Sequence, residues 1–236
     1  MKSKIDYTVA ADIAGKVIAK LRPNCTRIEV TGSLRRMKSQ VGDIELMIVP
    51  TEALYAQLDA LLEAGKIRHT GPKPWGEKLR SFNMTTTGSN PLNVQFDLFL
   101  QPDPATWGIN MMIRTGCSEF STRMVTKRSI GGLCPDCYTV KNALVWDQDG
   151  VALDTPEEAD VFRLWGLEMP SSEERTENYI PMWAEVDSFG PSHGLTMARA
   201  AQIVEESKTW PKPSFGGREG AQRYAAEAIA ANAKGM

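Results

Sequence analysis

Two acidic side chains stand two residues apart at the start of an apolar, strand-like run. In the stretch GSLRRMKSQVGDIEL, residues 32 to 46, Asp43 and Glu45 open the run DIELMIVP. Side chains two apart on a strand face the same side, so the two carboxylates project together, away from Ile44. Solvent or a divalent cation relieves their repulsion, and hard oxygen ligands suit Mg²⁺ or Mn²⁺. Taken alone, the pair indicates either a metal-binding strand end or a solvated one.

A third carboxylate, Asp97, lies within the apolar run NVQFDLFL. If this strand lies beside the strand of Glu45, three carboxylates converge on one face. Such a set can hold two metal ions that clamp the attacking and leaving oxygens of a phosphoryl transfer.

A phosphate-binding element precedes the carboxylates. Gly32 and Ser33 stand before a short predicted helix and offer backbone N–H groups and a hydroxyl to a phosphate, and Arg36 offers a charged clamp. The alternative is that GSLRR is a surface turn. The combined spacing favours a triphosphate and two metals at one edge of a sheet.

The hydrophobic periodicity and the turn residues predict the elements that hold these groups. The predicted helices cover 4–21, part of 34–40, 51–64, 104–113, 118–130 and a segment from the cap Thr155 to Gly166, and a loop covers 114–118. The predicted strands cover 26–31, 43–50, 78–86 and 92–100, with short strands within 137–147. The turn TGSNP joins 78–86 to 92–100 as a hairpin.

These motifs together resemble the family X DNA polymerases of the nucleotidyltransferase superfamily. GSLRR, then GDIEL, then a DLF strand resemble the palm, RTGCSEFSTRM resembles the segment that holds the sugar and base, and GGLCPDCYTV resembles the thumb strand. TPEEADVFRLWGLEMPSSEER resembles the closing stretch, so the resemblance covers 26–178 and is closest in layout to minimal viral members with only palm and thumb.

The resemblance implies an α+β fold. Residues 1–113 would form a nucleotidyltransferase palm, a mixed antiparallel sheet with helices on one face, and 114–178 a small α+β thumb. Residues 179–236 lie outside the match and are predicted to form a helical C-terminal extension. An N-terminal lyase domain of the repair-specialised members is not expected here, nor is its lyase activity.

The resemblance also implies roles for residues. Asp43 and Glu45 would bridge two Mg²⁺ ions, with Mn²⁺ as a possible substitute, and Asp97 would ligate the catalytic metal and orient the primer 3′-hydroxyl. Arg35 would pair with acidic groups near the site. The implied nucleotide-binding positions are Gly32, Ser33, Arg36, Gly42, Ile113, Thr115, Gly116 and Ser121.

The chain departs from the family pattern at two places. Glu45 stands where most members have aspartate, and a flexible glutamate can still ligate a hard cation, so we expect activity to survive. Ile113 and Arg114 replace an aromatic pair whose first ring the family sets against the ribose edge. We therefore expect weakened exclusion of ribonucleotides, and Arg114 is free to pair with phosphate or template.

The expected activity is DNA-directed DNA synthesis, with dNTPs added to a primer 3′-end in short gaps during repair. The alternatives are a template-independent or ribonucleotide-using nucleotidyltransferase, and a binding module without chemistry. Basic residues expected to neutralise DNA phosphates are Arg114, Arg123, Lys127, Arg128 and Lys141. Trp210, Lys208, Lys212, Arg218 and Arg223 form either a further DNA-binding piece or part of an ordinary helical pair packed on the thumb.

Composition sets broad limits on the class of protein. The 236 residues, 42% hydrophobic, suffice for a substantial core, and the net charge of -2 gives no global attraction to polyanions, so DNA binding must rest on local clusters. Neither a membrane-spanning run nor a signal-peptide h-region is visible. A cytoplasmic monomer is expected, in the host cytoplasm or nucleoid if viral, with Cys134 and Cys137 of CPDC as ordinary thiols rather than a zinc or redox pair.

Overall fold

The computed structural model describes residues 4–71 and 75–184 and shows a mixed α+β protein. Its helices are α1 (Tyr7–Leu21), α2 (Gly32–Arg35), α3 (Glu52–Glu63), α4 (Trp107–Thr115), α5 (Ser118–Val125) and α6 (Glu158–Trp165). Its strands are β1 (Ile5–Asp6), β2 (Cys25–Val30), β3 (Gln40–Val41), β4 (Ile44–Pro50), β5 (Arg68–His69), β6 (Leu79–Thr85), β7 (Asn93–Leu100), β8 (Thr139–Lys141), β9 (Leu144–Trp146) and β10 (Ala152–Leu153).

The central element is a five-stranded sheet with the order β2-β4-β7-β6-β5. The strands β4 and β7 are parallel, whereas the other neighbours are antiparallel, so the sheet is mixed. The predicted hairpin is confirmed, because β6 and β7 pair from Leu79 opposite Phe99 to Thr85 opposite Asn93. Smaller sheets pair β1 with β3 and β8 with β9 and β10.

The helices α1 and α3 cover one face of the central sheet. Apolar side chains at helical spacing on α1, such as Ala10 and Val17, pack with Leu54 of α3 against the strands. From the sheet, Ile48 and Phe96 belong to the same buried cluster. This core holds β4 and β7, the two strands that carry the acidic residues, in fixed positions.

Helix α4 covers part of the opposite face, which corrects the expectation of helices on one face only. Trp107 and Met111 of α4 are buried with Met47 and Val49 of β4, and the Arg27 guanidinium lies 4.2 Å from the centre of the Trp107 ring. The run IELMIVP presents apolar side chains to both sides of the pleat, so a second layer is needed to cover them.

A second core lies beyond the sheet and shares α4 with it. Met112 of α4 packs there with Phe120 of α5 and Trp165 of α6, and Tyr179 and Trp183 join them. The expected boundary between residues 113 and 114 therefore falls inside α4, and residues 114 and 115 are helical rather than part of a loop. Residues up to Ala184 continue beside this core, and the rest of the expected extension lies outside the described residues.

Two predicted helices begin or end elsewhere than the sequence pattern indicates. Helix α5 ends at Val125 and a 3₁₀ turn follows at Arg128–Ile130. Helix α6 is capped by Glu157, not by Thr155, whose carbonyl accepts a hydrogen bond from the Gly108 amide at 2.6 Å. The end at Gly166 is confirmed, in the left-handed conformation with φ 66°.

Candidate metal and nucleotide site

The acidic residues of the two central strands lie side by side. Glu45 of β4 and Asp97 of β7 are register partners across a parallel pair, and Asp43 stands in the bend immediately before β4. Both registered side chains belong to the α4 side of the sheet, because Ile44 and Phe96 face the opposite core. The strands that carry Glu45 and Asp97 are therefore neighbours, as the prediction required.

The negative charges at this edge act on one another. The pKa of Glu45 is raised to about 7, first by burial and then by the neighbouring charges of Asp43 and Asp97, while Arg114 and Arg36 act in the opposite direction. A carboxyl whose ionisation is opposed by two neighbouring carboxylates is typical of a site that gains from a bound cation. Asp97 is 6% exposed and accepts a hydrogen bond from Gln95 Nε2 at 3.1 Å.

Glu45 and the start of α2 are in direct contact. The Thr31 amide donates to the Glu45 carbonyl at 2.9 Å, and Gly32, with φ +62°, has the Glu45 carboxylate against its Cα. An ideal Cβ at Gly32 would lie 1.7 Å from Glu45 Oε2, so a side chain there is excluded by space and by backbone conformation. The candidate phosphate turn therefore lies directly against Glu45, one of the candidate metal ligands.

The donor chemistry of this edge fits a hard divalent cation. Among residues 4–71 and 75–184, no three His, Cys, Asp or Glu side chains are grouped closely enough to enclose a metal ion. Carboxylate oxygens are nevertheless the ligands that Mg²⁺ and Mn²⁺ take, and the repulsion felt by Glu45 favours a cation. Asp43, Glu45 and Asp97 are the residues that would hold it.

The end of α4 is tied to α2 by both arginines of GSLRR. Arg35 Nη1 donates to Thr115 Oγ1 at 2.5 Å, and Arg36 Nη1 donates to the Thr115 carbonyl. Thr115 is fully buried. Two groups of predicted nucleotide-binding residues, at 32–36 and at 113–116, therefore lie together.

A buried ionic cluster beneath this junction holds Arg35. Its guanidinium donates to both carboxylate oxygens of Glu158, at 2.9 Å and 3.2 Å, which confirms the expected pairing of Arg35 with an acidic group. Arg175, 1% exposed, donates to the same carboxylate, and Ser172 Oγ donates to the Arg35 carbonyl at 2.9 Å. Glu158 and Arg175 are positioning residues that the sequence interpretation missed, since no local pattern links them to Arg35.

The remaining predicted nucleotide positions lie around the turn between α4 and α5. Ser121 Oγ donates to the Ile113 carbonyl at 2.7 Å, and Ile113 packs against the second core. An ideal Cβ at Gly116 would lie 2.2 Å from Phe120 Cδ1, so the close approach of α5 requires glycine. At Gly42 a Cβ would meet open space, and Ser33 is half-buried on α2.

The basic residues expected to contact DNA differ in accessibility. Lys141 on β8 and Arg114 at the end of α4 are exposed. Arg123 donates to the Tyr179 carbonyl at 2.8 Å, and Lys127 Nζ lies 3.4 Å from the Asp136 carbonyl. These two side chains are half-buried and partly engaged within the second core.

Arg128 lies in the interior, which corrects its expected place on the surface. It is 2% exposed, donates from Nε to the Leu133 carbonyl at 3.2 Å and from Nη2 to the Trp165 carbonyl, and lies 4.5 Å from the centre of the Trp183 ring. The 3₁₀ turn directs the Arg128 side chain inward, where its guanidinium donates hydrogen bonds to backbone carbonyls. The expected contacts at Lys208, Trp210, Lys212, Arg218 and Arg223 fall outside the described residues.

The cysteines of CPDC are free. Cys134 is buried, which raises the pKa of its thiol to about 12, and Pro135 begins the turn that separates it from Cys137. A thiol held protonated is a poor metal ligand and a poor nucleophile.

No model of a known protein family matches the chain, and a search of curated proteins finds no similar sequence. In the part of the chain that the structure describes, no helix is both long and apolar enough to cross a membrane.

Proposed function

We propose that this protein is a DNA-directed DNA polymerase of the family X type, with a nucleotidyltransferase palm and a small thumb. It would add dNTPs to a primer 3′-hydroxyl and fill short gaps in DNA repair, as a cytoplasmic monomer. The observation that carries the proposal is the registered pair Glu45 and Asp97, with Asp43 at the same strand end and Gly32 against the Glu45 carboxylate. The resemblance of the motifs to family X supplies the reaction.

The acidic residues have separate roles in this proposal. Asp43 and Glu45 would hold the two divalent cations, and Asp97, which accepts a hydrogen bond from Gln95, would help hold them and orient the primer 3′-oxygen. Two bound Mg²⁺ ions, or Mn²⁺, would lower the pKa of the primer hydroxyl and stabilise the pyrophosphate leaving group. The protein contributes position and charge rather than covalent chemistry.

The incoming nucleotide would lie between α2 and the turn after α4. Gly32, Ser33 and Gly42 present backbone groups to the triphosphate, and Arg36 supplies charge. Ile113, Thr115, Gly116 and Ser121 form the side toward the sugar and base. The hydrogen bonds from Arg35 and Arg36 to Thr115 support this assignment, because they tie the phosphate side to the sugar side.

Primer extension tests the proposal. Gapped, recessed and blunt DNA are each incubated with dNTPs or NTPs, with Mg²⁺, Mn²⁺ or EDTA. We expect metal-dependent dNTP addition on gapped and recessed DNA, and its loss by a factor of at least about 100 in Asp97→Asn. Asp149→Asn, in an exposed turn, is the matched control and should keep full activity. Undiminished synthesis by Asp97→Asn would refute the assignment.

A template-independent or ribonucleotide-using transferase is the second candidate. Ile113 favours it, since its side chain packs against the second core where the family pattern has an aromatic ring at the ribose edge. Addition of NTPs to blunt ends would support this function. Tight DNA binding without incorporation under any condition would instead favour a binding module.

A further inference from the structure

A positively charged side chain already stands on the face of the sheet that carries the acidic residues. The Arg114 guanidinium lies 4.0 Å from the centre of the Phe99 ring. Phe99 and Asp97 are two residues apart on β7 and therefore share a face, on which Glu45 is the register partner of Asp97. Geometry thus brings Arg114 over the same strand end as the candidate metal ligands.

The electrostatics agree with this placement in both directions. Arg114 lowers the pKa of Glu45 against the larger effect of burial, and Arg36 does so too. Burial lowers the pKa of Arg114, while Glu45 and Asp97 raise it. The guanidinium and the two carboxylates therefore stabilise one another's charged forms.

We propose that Arg114 is a resident counter-charge for the carboxylates of Glu45 and Asp97, which a divalent cation must displace in order to bind. The inference rests on the metal site of the proposed function and adds a residue that sets its metal affinity. A guanidinium and a metal ion that neutralise the same oxygens compete, so each weakens the other's binding by the same factor.

The position of Arg114 would allow its side chain to move away from the carboxylates when a cation binds. Its guanidinium stacks on the Phe99 ring, and a cation over an aromatic face is weakly attracted to it. The residue as a whole is exposed while its guanidinium is partly buried against Phe99, so the side chain can reach solvent from the surface of the sheet without opening the core. Arg36, by contrast, is held by the Thr115 carbonyl and stays in place.

Direct measurement of Mn²⁺ binding tests the competition without reference to catalysis. Electron paramagnetic resonance gives the Kd for Mn²⁺ of the metal-free full chain and of its variants. Arg114→Gln should bind Mn²⁺ at least about fivefold more tightly than the original protein. Lys16→Gln removes one positive charge from an exposed pair on α1 and should leave the Kd unchanged. An equal or weaker affinity in Arg114→Gln would overturn the proposal.

Two further variants make the outcome decisive. Phe99→Leu keeps the Arg114 charge but removes the ring on which the guanidinium stacks, so this variant should also bind Mn²⁺ more tightly. An unchanged Kd for Mn²⁺ in Phe99→Leu counts against the proposal even where Arg114→Gln does not fold. Asp97→Asn should lose Mn²⁺ binding. If Asp97→Asn loses binding while Arg114→Gln and Phe99→Leu change nothing, the counter-charge is refuted and the metal site stands. If neither the original protein nor any variant binds Mn²⁺, the proposed metal site is refuted as well.

Discussion

Gly32 and Glu45 share a space that has room for only one side chain. An ideal Cβ on Gly32 would lie only 1.7 Å from Oε2 of Glu45, and the Gly32 backbone has φ +62°. An aspartate at position 45 would be shorter by one methylene. The glutamate that departs from the family pattern is therefore accommodated by the glycine of the candidate phosphate turn.

Gly32→Ala should destabilise the protein through both strain and overlap. We expect a loss of about 1–3 kcal/mol in the free energy of unfolding, measured by urea denaturation. Adding Glu45→Asp should recover part of that loss, because the shorter side chain vacates the space. Gly15→Ala is the control: nothing lies within 4 Å of its Cβ position on α1, and it should be neutral or stabilising. Equal losses with and without Glu45→Asp would contradict the contact.

Glu45→Gln should stabilise the metal-free protein at high pH. Because the folded-state pKa of Glu45, about 7, lies above its ordinary value of 4.5, its contribution is most favourable below 4.5 and is lost as the pH rises through 7. The variant avoids this loss, so its advantage over the original protein should reach about 1–3 kcal/mol at high pH and shrink in mild acid. Urea denaturation in EDTA across this range measures the difference. A difference that does not vary with pH would exclude the shift.

Glu158→Gln should be strongly destabilising, since it leaves Arg35 and the buried Arg175 without a counter-charge. Breaking a buried pair from one side costs about 3–5 kcal/mol. Glu157→Gln is the neighbouring control. The Glu157 side chain is 60% exposed and pairs with Arg27, and glutamine keeps the oxygen that caps α6, so Glu157→Gln should cost less than about 1 kcal/mol. Similar losses of unfolding free energy in Glu158→Gln and Glu157→Gln would show that burial of the ionic cluster contributes little to stability.

Lys141→Gln should weaken DNA binding most at low salt and reduce its dependence on salt concentration. Each phosphate contact contributes about 0.9 to the slope of log K against log salt concentration, so the variant should lose about that much in slope. Fluorescence anisotropy of labelled gapped DNA over a salt series measures it, with Lys16→Gln as the control. An unchanged slope would remove Lys141 from the DNA-binding surface.

Ile113→Tyr should restore exclusion of ribonucleotides. A ring at the sugar side would obstruct the 2′-hydroxyl, and we expect the ratio of kcat/KM for dNTP over NTP to rise roughly tenfold. Single-nucleotide incorporation kinetics give this ratio. Ile113→Leu keeps the bulk without the ring and should leave it unchanged. A ratio equal in all three proteins would mean that position 113 does not face the sugar.

Local periodicity predicted the part of the candidate site that depends on a single strand. The two-residue repeat puts Glu45 on the side of β4 opposite Ile44, and the turn TGSNP brings β7 back onto β6, whereas Asp43 lies in the bend before the strand rather than in it. Even the second layer had a signal, since IELMIVP is apolar on both faces. Its covering helix α4 could not be assigned from that pattern, because the partner lies far along the chain.

Tertiary contacts decided what local patterns could not. Thr155 with Pro156 and Glu158 reads as a helix start, but the Thr155 backbone is taken by α4 and Ala105, and Glu157 becomes the cap. Arg128 has the charge that DNA requires, yet its position after α5 turns it into the second core. The sign of a side chain's charge can be read from the sequence, whereas packing decides whether that side chain ends on the surface or in the interior.

The ionic cluster of Arg35, Glu158 and Arg175 has a consequence for biosynthesis. Arg35 and Glu158 are 123 residues apart, and Ser172 contacts Arg35 across 137 residues. The candidate phosphate turn leaves the ribosome early, but its half-buried Arg35 has no partner in this cluster until α6 and the segment after it have followed. Contacts this distant form late, so we expect the nascent chain to complete the candidate site only after residues 158–175 have been synthesised.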